Sequence, residues 1–498
     1  MSKPRAIVIG AGIGGLVAAL DLARHGLAVT VCERAPQPGG KMRQVELDGS
    51  LIDSGPTVFT MPWVFEEIFA DANTAIAEHL DLHPAKLLAR HAWSNGETLD
   101  LFTDIDQSAA SIANFADNQE AERYLAFCAQ ARQVYQTLYW PFMRSQRPGL
   151  GSLISASGWR GLVDLWRIRP FESLWRRLGK CFHDPRLRQL FARYSTYCGS
   201  SPLHAPATLM LIAHVEQCGV WQVEGGMQKL AAAIASLLAA KGGEIRYDCS
   251  VSEIEIKAGR AVGIKLSSGE HLPAEVIVAN ADIAGLRAGL LGADAASAVT
   301  DRALGKRSLS AVTWSMLADT SGFDLAHHNV FFPDDYPREF EDIFRHGQLP
   351  ARPAVYVCAQ DRGPSHSQPQ GRERLFMIAN APAIGDRGTI DKSAIARLEQ
   401  AVFQLLEDCG LHVNSRPEHR VITTPADFEH RFPGTAGALY GSASHGWRAS
   451  FTRPGARSRV RGLYLAGGSV HPGPGVPMVA LSGRMAADAA AADLGLVQ

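Results

Sequence analysis

The sequence predicts an α/β protein, in which a Rossmann-like dinucleotide-binding domain carries a second, inserted domain of α+β type. Three observations predict this fold. The chain opens on a strand, a glycine-rich turn and a helix, and it closes on an apolar strand, a Gly/Pro-rich turn and a helix. Its 498 residues also exceed one ordinary domain, so two or three compact units are expected.

Composition and charge exclude several classes of protein. Hydrophobic residues make up 46% and charged residues 20%, as in soluble globular proteins. A formal net charge of −1 gives no indication of nucleic acid as a partner. The eight cysteines show neither a CxxC pair nor zinc spacing, so reduced thiols and no metal site are expected. We see no signal peptide and no uncharged run of the roughly 18 residues that span a bilayer, which predicts a cytoplasmic protein.

The first element is a strand at residues 5–10, followed by a helix whose apolar residues have helical spacing. The turn between them reads Gly10-Ala11-Gly12-Ile13-Gly14-Gly15. It matches G-x-G-x-x-G, in which Gly10 permits the tight turn, Gly12 admits a pyrophosphate and Gly15 lets helix and strand pack closely. The phosphates are then expected at the helix N-terminus.

A second strand, residues 27–35, carries Glu33 eighteen residues after Gly15. A carboxylate at this position typically accepts hydrogen bonds from an adenosine ribose. An ordinary surface acid at a strand end is the alternative, but the strand–helix–strand context favours a dinucleotide. We include the neighbouring Arg34 in the predicted site.

The next segment distinguishes between dinucleotides. Gly39-Gly40-Lys41-Met42-Arg43 follows the second strand directly, where a nicotinamide enzyme needs no such element. It resembles the G-G-[RK] element of flavoproteins of the amine oxidase and carotenoid desaturase superfamily. The resemblance implies FAD, with Gly40, Lys41 and Met42 near its phosphates and ribityl chain. Asp53-Ser54-Gly55-Pro56-Thr57 is similar to the turn that the superfamily places beside the flavin ring, although a plain turn is the alternative.

The middle of the chain alternates between two kinds of pattern. A hairpin is predicted around Asn95-Gly96, and residues 106–218 are mostly helical. Residues 224–282 return to a helix, strands and a hairpin, and the resemblance implies that the strand from Val251 lies against the adenine and that Asn280 closes this block. Residues 285–415 mix strands with a helix at about 391–409.

These patterns predict a cofactor domain made of residues 1–80, 221–284 and 416–498, and a substrate domain made of residues 81–220 and 285–415. In the last segment Gly468 and Ser469 let the backbone approach the cofactor. Prolines, including Pro477, fix the turn so that the N–H groups of Val476 and Met478 lie beside the flavin at a helix N-terminus. A stiff cap without chemical importance is the alternative.

The motifs GAGIGGL, GGKMR, DSGPTV, VWQVEGGM and LYLAGGSVHPGPGVPM together resemble bacterial carotenoid desaturases. The resemblance favours the 1-hydroxycarotenoid 3,4-desaturases, also called methoxyneurosporene dehydrogenases, because phytoene desaturases typically carry alanine and threonine at Gly468 and Ser469. It implies hydride transfer from a hydrophobic carotenoid to flavin N5 and proton loss, in an apolar tunnel. Phytoene desaturase, amine oxidase and a non-catalytic lipid carrier are the alternatives.

Three further expectations concern the reaction. Because the sequence has neither a second G-x-G-x-x-G nor a CxxC pair, electrons leave FAD for an external acceptor such as a quinone or O₂. Candidate proton acceptors are Glu216, Glu224, His91 and His471, each of which could instead be structural.

Residues 158–180 combine Trp159, Trp166, Phe171 and Trp175 with six basic residues, which predicts peripheral association with the inner face of the membrane. A helix packed inside the substrate domain is the alternative.

Overall fold

A computed structural model describes residues 3–146, 171–363, 371–388 and 390–496. Its strands are β1 (Arg5–Ile9), β2 (Ala28–Cys32), β3 (Gln44–Leu47), β4 (Ser50–Asp53), β5 (Leu82–Pro84), β6 (Leu87–Trp93), β7 (Thr98–Phe102), β8 (Trp221–Val223), β9 (Glu244–Arg246), β10 (Val251–Lys257), β11 (Arg260–Leu266), β12 (His271–Pro273), β13 (Val276–Ala279), β14 (Ser310–Ser321), β15 (His328–Phe332), β16 (Val355–Ala359), β17 (Glu373–Ala381), β18 (His412–Asn414), β19 (Arg420–Thr423) and β20 (Leu463–Leu465).

Its α-helices are α1 (Ile13–Arg24), α2 (Pro62–Asp71), α3 (Ile105–Phe115), α4 (Asn118–Leu138), α5 (Leu174–Cys181), α6 (Pro185–Ala192), α7 (Leu211–Gln217), α8 (Gln228–Ala240), α9 (Ile283–Arg287), α10 (Tyr336–Glu341), α11 (Lys392–Asp408), α12 (Pro425–Arg431), α13 (Ala449–Thr452) and α14 (Val476–Asp493). Within the described ranges, no helix is both long enough and apolar enough to cross a bilayer.

A five-stranded parallel sheet in the order β20-β13-β1-β2-β9 forms the first layer. Its strands come from the start, the middle and the end of the chain. Helices α1 and α14 pack closely against each other, since a Cβ atom at Gly483 would lie 2.3 Å from the carbonyl oxygen of Gly14. Val8, Leu16 and Leu481 belong to one buried cluster beneath them. The predicted Rossmann-like fold is confirmed.

Strands β10, β11 and β12 form a separate antiparallel sheet. Ile254 and Ile264 from this sheet join Ile277 of the parallel sheet in one apolar cluster. The small sheet therefore packs on the five-stranded parallel sheet, and both form part of the same unit.

The second unit is built on an eight-stranded sheet with the path β18-β14-β17-β16-β15-β6-β7, to which β19 adds by pairing with β14. Phe127 and Phe191 of the helical region pack with Phe332 on one face. Leu406 of α11 packs with Met377 in the cluster on the other face. Strand β19, which the sequence analysis assigned to the cofactor domain, lies in this sheet because its residues pair with β14.

Candidate functional site

The opening glycine turn has the geometry that its spacing predicts. Gly10 has a φ of +95°, which favours glycine, and a Cβ atom at Gly15 would lie 2.0 Å from the carbonyl oxygen of Gly10. A Cβ atom at Gly12 would lie 2.9 Å from Nδ2 of Asn280. The three glycines therefore allow strand, turn and helix to approach one another, and no side chain could be added without displacing a neighbour.

Asn280 connects the opening turn with the end of the chain. Its Nδ2 donates to the carbonyl oxygen of Gly10 at 3.4 Å, and its Oδ1 would lie 3.1 Å from a Cβ atom at Gly467. On the other side of the turn, Cγ1 of Val479 would lie 3.1 Å from a Cβ atom at Gly14. The first, middle and last predicted cofactor segments thus meet at one place.

Glu33 is buried at the end of β2 and faces the same turn. Its Oε2 accepts a hydrogen bond from the N–H of Ala11 at 2.6 Å, and its Oε1 accepts one from the N–H of Ala35 at 2.8 Å. The carboxylate is therefore held against the glycine turn, where a ribose would be adjacent. Arg34 is exposed, and its Nη2 donates to the carbonyl oxygen of His430 at 2.6 Å, so its predicted role in the cofactor site stays a prediction.

The Gly-Gly-Lys segment pairs with the opening turn through a bridge between Gly12 and Gly39. A Cβ atom at Gly40 would lie 3.2 Å from Cα of Gly12. Nζ of Lys41 donates to the carbonyl oxygen of Leu439 at 2.5 Å, and burial lowers the pKa of Lys41. The Lys41 side chain thus joins this segment to the last part of the chain. Met42 is buried in the core below it.

The turn at residues 53–57 lies on this segment, since a Cβ atom at Gly55 would lie 1.9 Å from the carbonyl oxygen of Lys41. Oδ2 of Asp53 accepts from the N–H of Met227 at 2.6 Å, and burial raises the pKa of Asp53. The Thr57 hydroxyl is 2.6 Å from the hydroxyl of Tyr356 in the large sheet. The turn is therefore the point at which the two units meet.

The C-terminal turn is fixed by the side chains of Arg453, which is not among the predicted site residues, and Ser469, which is. Arg453 is buried, with Nη1 donating to the carbonyl oxygen of Gly468 at 2.8 Å and Nη2 donating to that of Ser442 at 2.7 Å. Burial lowers the pKa of Arg453. Oγ of Ser469 accepts from the N–H of Ile283 at 3.1 Å, so this side chain binds the start of α9. No local motif marks Arg453 in the sequence.

The donor set of this region fits a flavin dinucleotide. Helices α1 and α14 have Gly12 and Gly475 as N-cap residues, and neither helix has a side-chain cap or an acidic residue in its first turn. By contrast, α3 and α4 are capped by Asp104 and Asp117. The free N–H groups at the start of α1 suit a pyrophosphate, those at the start of α14 suit the polar atoms of a flavin, and the Glu33 carboxylate suits a ribose hydroxyl.

The remaining predicted cofactor residues are placed as follows. Val476 and Met478 are half-buried at the start of α14, and Pro477 is buried. Pro56 is half-buried in the turn at residues 53–57, and Ile13 is buried in the first turn of α1. Val251 is half-buried and starts β10, where it pairs with Leu266. The described contacts do not join Val251 to the glycine turn, so its predicted role stays a prediction.

A cavity of about 30 Å³ lies between the large sheet and the helical region. Its apolar lining is Val58, Leu88, Ala89, Leu101, Leu190, Val220 and Val330. Its polar lining is His91, Arg193, Tyr194, Tyr197, Glu216, His328 and Tyr356. Val58 directly follows the turn at residues 53–57, and Tyr356 bonds to Thr57, so the cavity adjoins the predicted flavin position.

Two of the four predicted proton acceptors line this cavity. Oε2 of Glu216 accepts from the Tyr194 hydroxyl at 2.6 Å, and burial raises the pKa of Glu216. Nδ1 of His91 is 3.1 Å from the carbonyl oxygen of Leu99, and burial lowers the pKa of His91 to about 4. A carboxylate with a raised pKa is the stronger base of the two.

The other two candidates lie elsewhere. Glu224 is exposed, with its carboxylate 3.7 Å from Nε2 of His83. Nε2 of His471 donates to the carbonyl oxygen of Phe142 at 2.9 Å, which joins the C-terminal turn to the end of α4. Burial lowers the pKa of His471 to about 4. Neither residue lines the cavity, because the first faces solvent and the second packs against the helical region.

Much of the predicted membrane segment, including Trp159, Trp166, Arg160, Arg167 and Arg169, lies outside the described residues. In the described part, Phe171 is 73% exposed and its ring lies 5.2 Å from that of Trp447. Trp175 is half-buried under the guanidinium of Arg188 at 3.8 Å. Trp175 is therefore a packing residue, whereas Phe171 faces outward.

Comparisons with known proteins agree with this geometry. The model of the flavin-containing amine oxidoreductase family matches residues 13–491. A hydroxyneurosporene desaturase of Rubrivivax gelatinosus is 54% identical and covers 98% of this chain and 94% of its own. Another from Rhodobacter capsulatus is 41% identical over 99% of this chain and 98% of its own. A phytoene desaturase of Fusarium fujikuroi is 29% identical over 99% of this chain and 90% of its own.

Solved structures of low sequence identity share the fold. An oxidoreductase from Methanosarcina mazei has a TM-score of 0.62 at 18% identity, covering 96% of this chain and 99% of its own. An engineered putrescine oxidase has a TM-score of 0.62 at 13% identity, with 99% of each chain covered. At these identities the likeness supports the fold alone.

Proposed function

The chain belongs to the flavin-containing amine oxidoreductase family, and we propose that it is an FAD-dependent desaturase of a 1-hydroxycarotenoid. The observation that carries this proposal is the full-length identity of 54% to a hydroxyneurosporene desaturase, against 29% to a phytoene desaturase. The geometry supports it, because the cofactor segments meet beside a cavity whose lining combines apolar side chains with a candidate proton acceptor, Glu216.

Bound FAD supplies the two-electron oxidant that takes a hydride from a saturated carbon pair beside the polyene. The chain's own residues would hold it: the backbone N–H groups at the start of α1 would bind the pyrophosphate, those at the start of α14 would lie beside the flavin, Glu33 would accept from the ribose, and Lys41 would add a donor near the phosphates. Leu88, Leu101 and the other apolar lining side chains would exclude water from the part of the substrate that reaches the cavity.

The proton released with the hydride needs an acceptor, and we assign it to the carboxylate of Glu216. Its raised pKa makes it a better base than a solvated glutamate. The Tyr194 hydroxyl, which donates to Oε2, orients the carboxylate. The balance is then complete: the substrate loses a hydride and a proton, and one carbon–carbon single bond becomes double.

The electrons leave for an external acceptor such as a quinone or O₂. This part of the proposal is supported by the sequence, which has one dinucleotide motif and no CxxC pair. An anaerobic assay with and without a soluble quinone tests it, since turnover should stop after one round when no acceptor is present.

We also propose that the protein works in the cytoplasm, bound peripherally to the inner face of the membrane, because its substrate class resides in lipid. Trp140 is 70% exposed and Phe171 73% exposed. Phe142 contacts Phe451 at 5.6 Å between ring centroids, and Trp447 contacts Phe171, so this surface is rich in aromatic side chains. Exposed aromatic residues beside basic ones are typical of interfacial contact.

Liposome flotation tests the membrane proposal with Trp140→Ser combined with Phe171→Ser. We expect reduced flotation for this variant and normal flotation for Leu290→Ser, which removes an apolar side chain that is 49% exposed in the cofactor unit. Equal flotation of all three proteins would contradict membrane contact through these aromatic residues.

The desaturase assignment is tested by incubating purified holoenzyme with vesicles that contain 1-hydroxyneurosporene, neurosporene or phytoene. Each added double bond extends the conjugated system, so desaturation shifts the pigment absorbance to longer wavelength. We expect the shift with 1-hydroxyneurosporene. A shift with phytoene alone would make the protein a phytoene desaturase instead.

A further inference from the structure

We propose that Nε2 of His328 binds the hydroxyl group of the substrate and so selects hydroxylated polyenes. This inference rests on the proposed function, because it assigns a partner to the hydroxyl of that substrate. It concerns a side chain in the large sheet that no sequence motif marks.

His328 is a buried residue whose ring has an unused polar atom. The side chain is 4% exposed and lines the cavity described above. Its Nε2 has no hydrogen-bond partner among the described residues. A buried polar atom without a partner is costly, and such atoms usually meet a ligand or an ordered water. We therefore expect Nε2 of His328 to bind a polar group of a ligand.

The other ring nitrogen is already engaged. Nδ1 of His328 is 2.7 Å from the Tyr356 hydroxyl, which is itself 2.6 Å from the hydroxyl of Thr57. Burial lowers the pKa of His328, so the ring is neutral and has one donor nitrogen and one acceptor nitrogen. Whichever role Nε2 takes, a hydroxyl can satisfy it, since a hydroxyl both donates and accepts.

The position of His328 suits a substrate whose hydroxyl is close to the reacting bond. In a 1-hydroxycarotenoid that is desaturated at carbons 3 and 4, only a few covalent bonds separate the oxygen from the reacting carbons. Tyr356 connects His328 to Thr57, in the turn that adjoins the predicted flavin ring. The partner of the hydroxyl must lie near the oxidant, and these two hydrogen bonds connect His328 to the turn beside which the flavin is predicted.

The cavity has room for a hydroxyl group and is too small for a polyene. A volume of about 30 Å³ accommodates about two water molecules, each of which needs at least about 10–15 Å³ on this measure.

A metal ion is the alternative occupant of this position. His327, His328 and Cys358 offer ligand atoms that lie within 4.8 Å of one another. Nε2 of His327 is, however, 3.6 Å from Sγ of Cys358, and Nδ1 of His327 is 2.8 Å from the carbonyl oxygen of Arg362. Two of the three candidate ligands are thus paired with protein groups, which favours a hydroxyl at Nε2 of His328 over a cation.

The test uses FAD-loaded His328→Leu protein and compares kcat/KM for 1-hydroxyneurosporene with kcat/KM for neurosporene. We expect the ratio of these two values to fall by about 10- to 100-fold, because a site that bonds a hydroxyl rejects the analogue without it. The dissociation constants of both polyenes, measured by quenching of tryptophan fluorescence, should show the same loss of preference.

Val330→Ala is the matched control, because Val330 lies two residues along β15 and lines the same cavity without a polar atom. This variant should change kcat/KM for both polyenes by a similar factor. His328→Phe is made in parallel, in case the leucine variant does not retain FAD, and should show the same fall in the ratio.

Each outcome has a defined meaning. An unchanged ratio in a His328 variant that retains FAD would overturn the inference. So would a stoichiometric metal ion in the wild-type protein that is lost in His328→Leu. If wild-type holoenzyme converts neither polyene, the proposed function has failed, and this result is distinct from a loss of preference in the variants.

Discussion

The cofactor region and the substrate cavity meet at the turn of residues 53–57, yet they are built in different ways. The cofactor region is formed by backbone, with glycines such as Gly12, Gly15 and Gly55 at each close approach. The cavity is formed by side chains that come from separate strands and helices, including Glu216, His328 and Tyr356. A site made of backbone depends on spacing along the chain, whereas a site made of side chains depends on which distant elements pack together.

The largest expected effect comes from a substitution that disrupts the cofactor region. In Gly15→Ala the new Cβ atom would lie 2.0 Å from the carbonyl oxygen of Gly10, so the turn must open. We expect a loss of FAD affinity of about 100-fold or more, equivalent to about 3 kcal/mol. The flavin absorbance of the purified protein measures this.

Gly242→Ala is the matched control for the glycine turn. Gly242 also has a positive φ, of +81°, but nothing lies within 4 Å of its added Cβ atom. It should lower stability by about 1 kcal/mol and leave the FAD content unchanged. A Gly15→Ala protein with full FAD content would contradict the packing described for the turn.

The second prediction concerns a substitution that removes a reactive group from the cavity and leaves the cofactor region unchanged. Glu216→Gln removes the proposed proton acceptor, and we expect kcat to fall by about 10²- to 10⁴-fold while FAD remains bound. In the wild type, activity should rise with pH through the raised pKa of Glu216, because only the ionised carboxylate accepts a proton.

Glu224→Gln provides the comparison for this prediction, because Glu224 is exposed and does not line the cavity. Its kcat should match the wild-type value. If Glu216→Gln also retains wild-type kcat, the proton has another acceptor and the assignment of Glu216 is wrong.

The third prediction concerns the connection that holds the C-terminal turn in place. Arg453→Met leaves the carbonyl oxygens of Gly468 and Ser442 without their buried donor. We expect the free energy of unfolding to fall by about 3 kcal/mol. Chemical denaturation of the FAD-loaded protein measures it.

Arg459→Met removes an exposed arginine six residues away and should change stability by less than about 0.5 kcal/mol. Equal stabilities for the two variants would mean that the buried guanidinium does not support the turn.

The smallest expected effect compares the two regions by pH. His91 lines the cavity and His471 lies in the C-terminal turn, and burial lowers the pKa of each to about 4. Between about pH 6.5 and 4 these rings bind protons in the unfolded chain but not in the folded protein. The stability that the two neutral rings contribute is therefore lost as the pH falls through that window. Each residue contributes up to about 3 kcal/mol.

Variants are compared for this measurement because Glu339, whose pKa burial raises to about 7, titrates with the opposite sign. In His91→Asn and in His471→Asn, the difference in unfolding free energy between pH 6.5 and pH 4 should shrink. A difference equal to that of the wild type in either variant would show that the ring concerned is protonated in the folded protein.

The difference between the regions also explains what could be predicted from the sequence. The spacing of Gly10, Gly12 and Gly15 predicts their packing, and Asn95-Gly96 predicts the hairpin of β6 and β7, because these contacts are local. The predicted helix at about 391–409 is observed as Lys392–Asp408. Close approach of backbone requires particular residue types, and these remain visible in the sequence.

The cavity could not be predicted in this way. His328 and Tyr356 become neighbours through the antiparallel pairing of β15 with β16, and β19 joins the large sheet through β14. Arg453 reaches Ser442 and Gly468 through a loop without regular spacing. Histidine, tyrosine and arginine occur throughout the sequence, so their types alone do not mark them as lining a site.

The central claim is that the ends of the chain hold one FAD against the cavity of the large sheet, where it oxidises the polyene. Anaerobic mixing of holoenzyme with vesicles that contain 1-hydroxyneurosporene tests it most directly. We predict that flavin absorbance is lost as the longer-wavelength polyene forms, with one flavin reduced for each new double bond. Formation of the desaturated polyene while the flavin stays oxidised would contradict the claim.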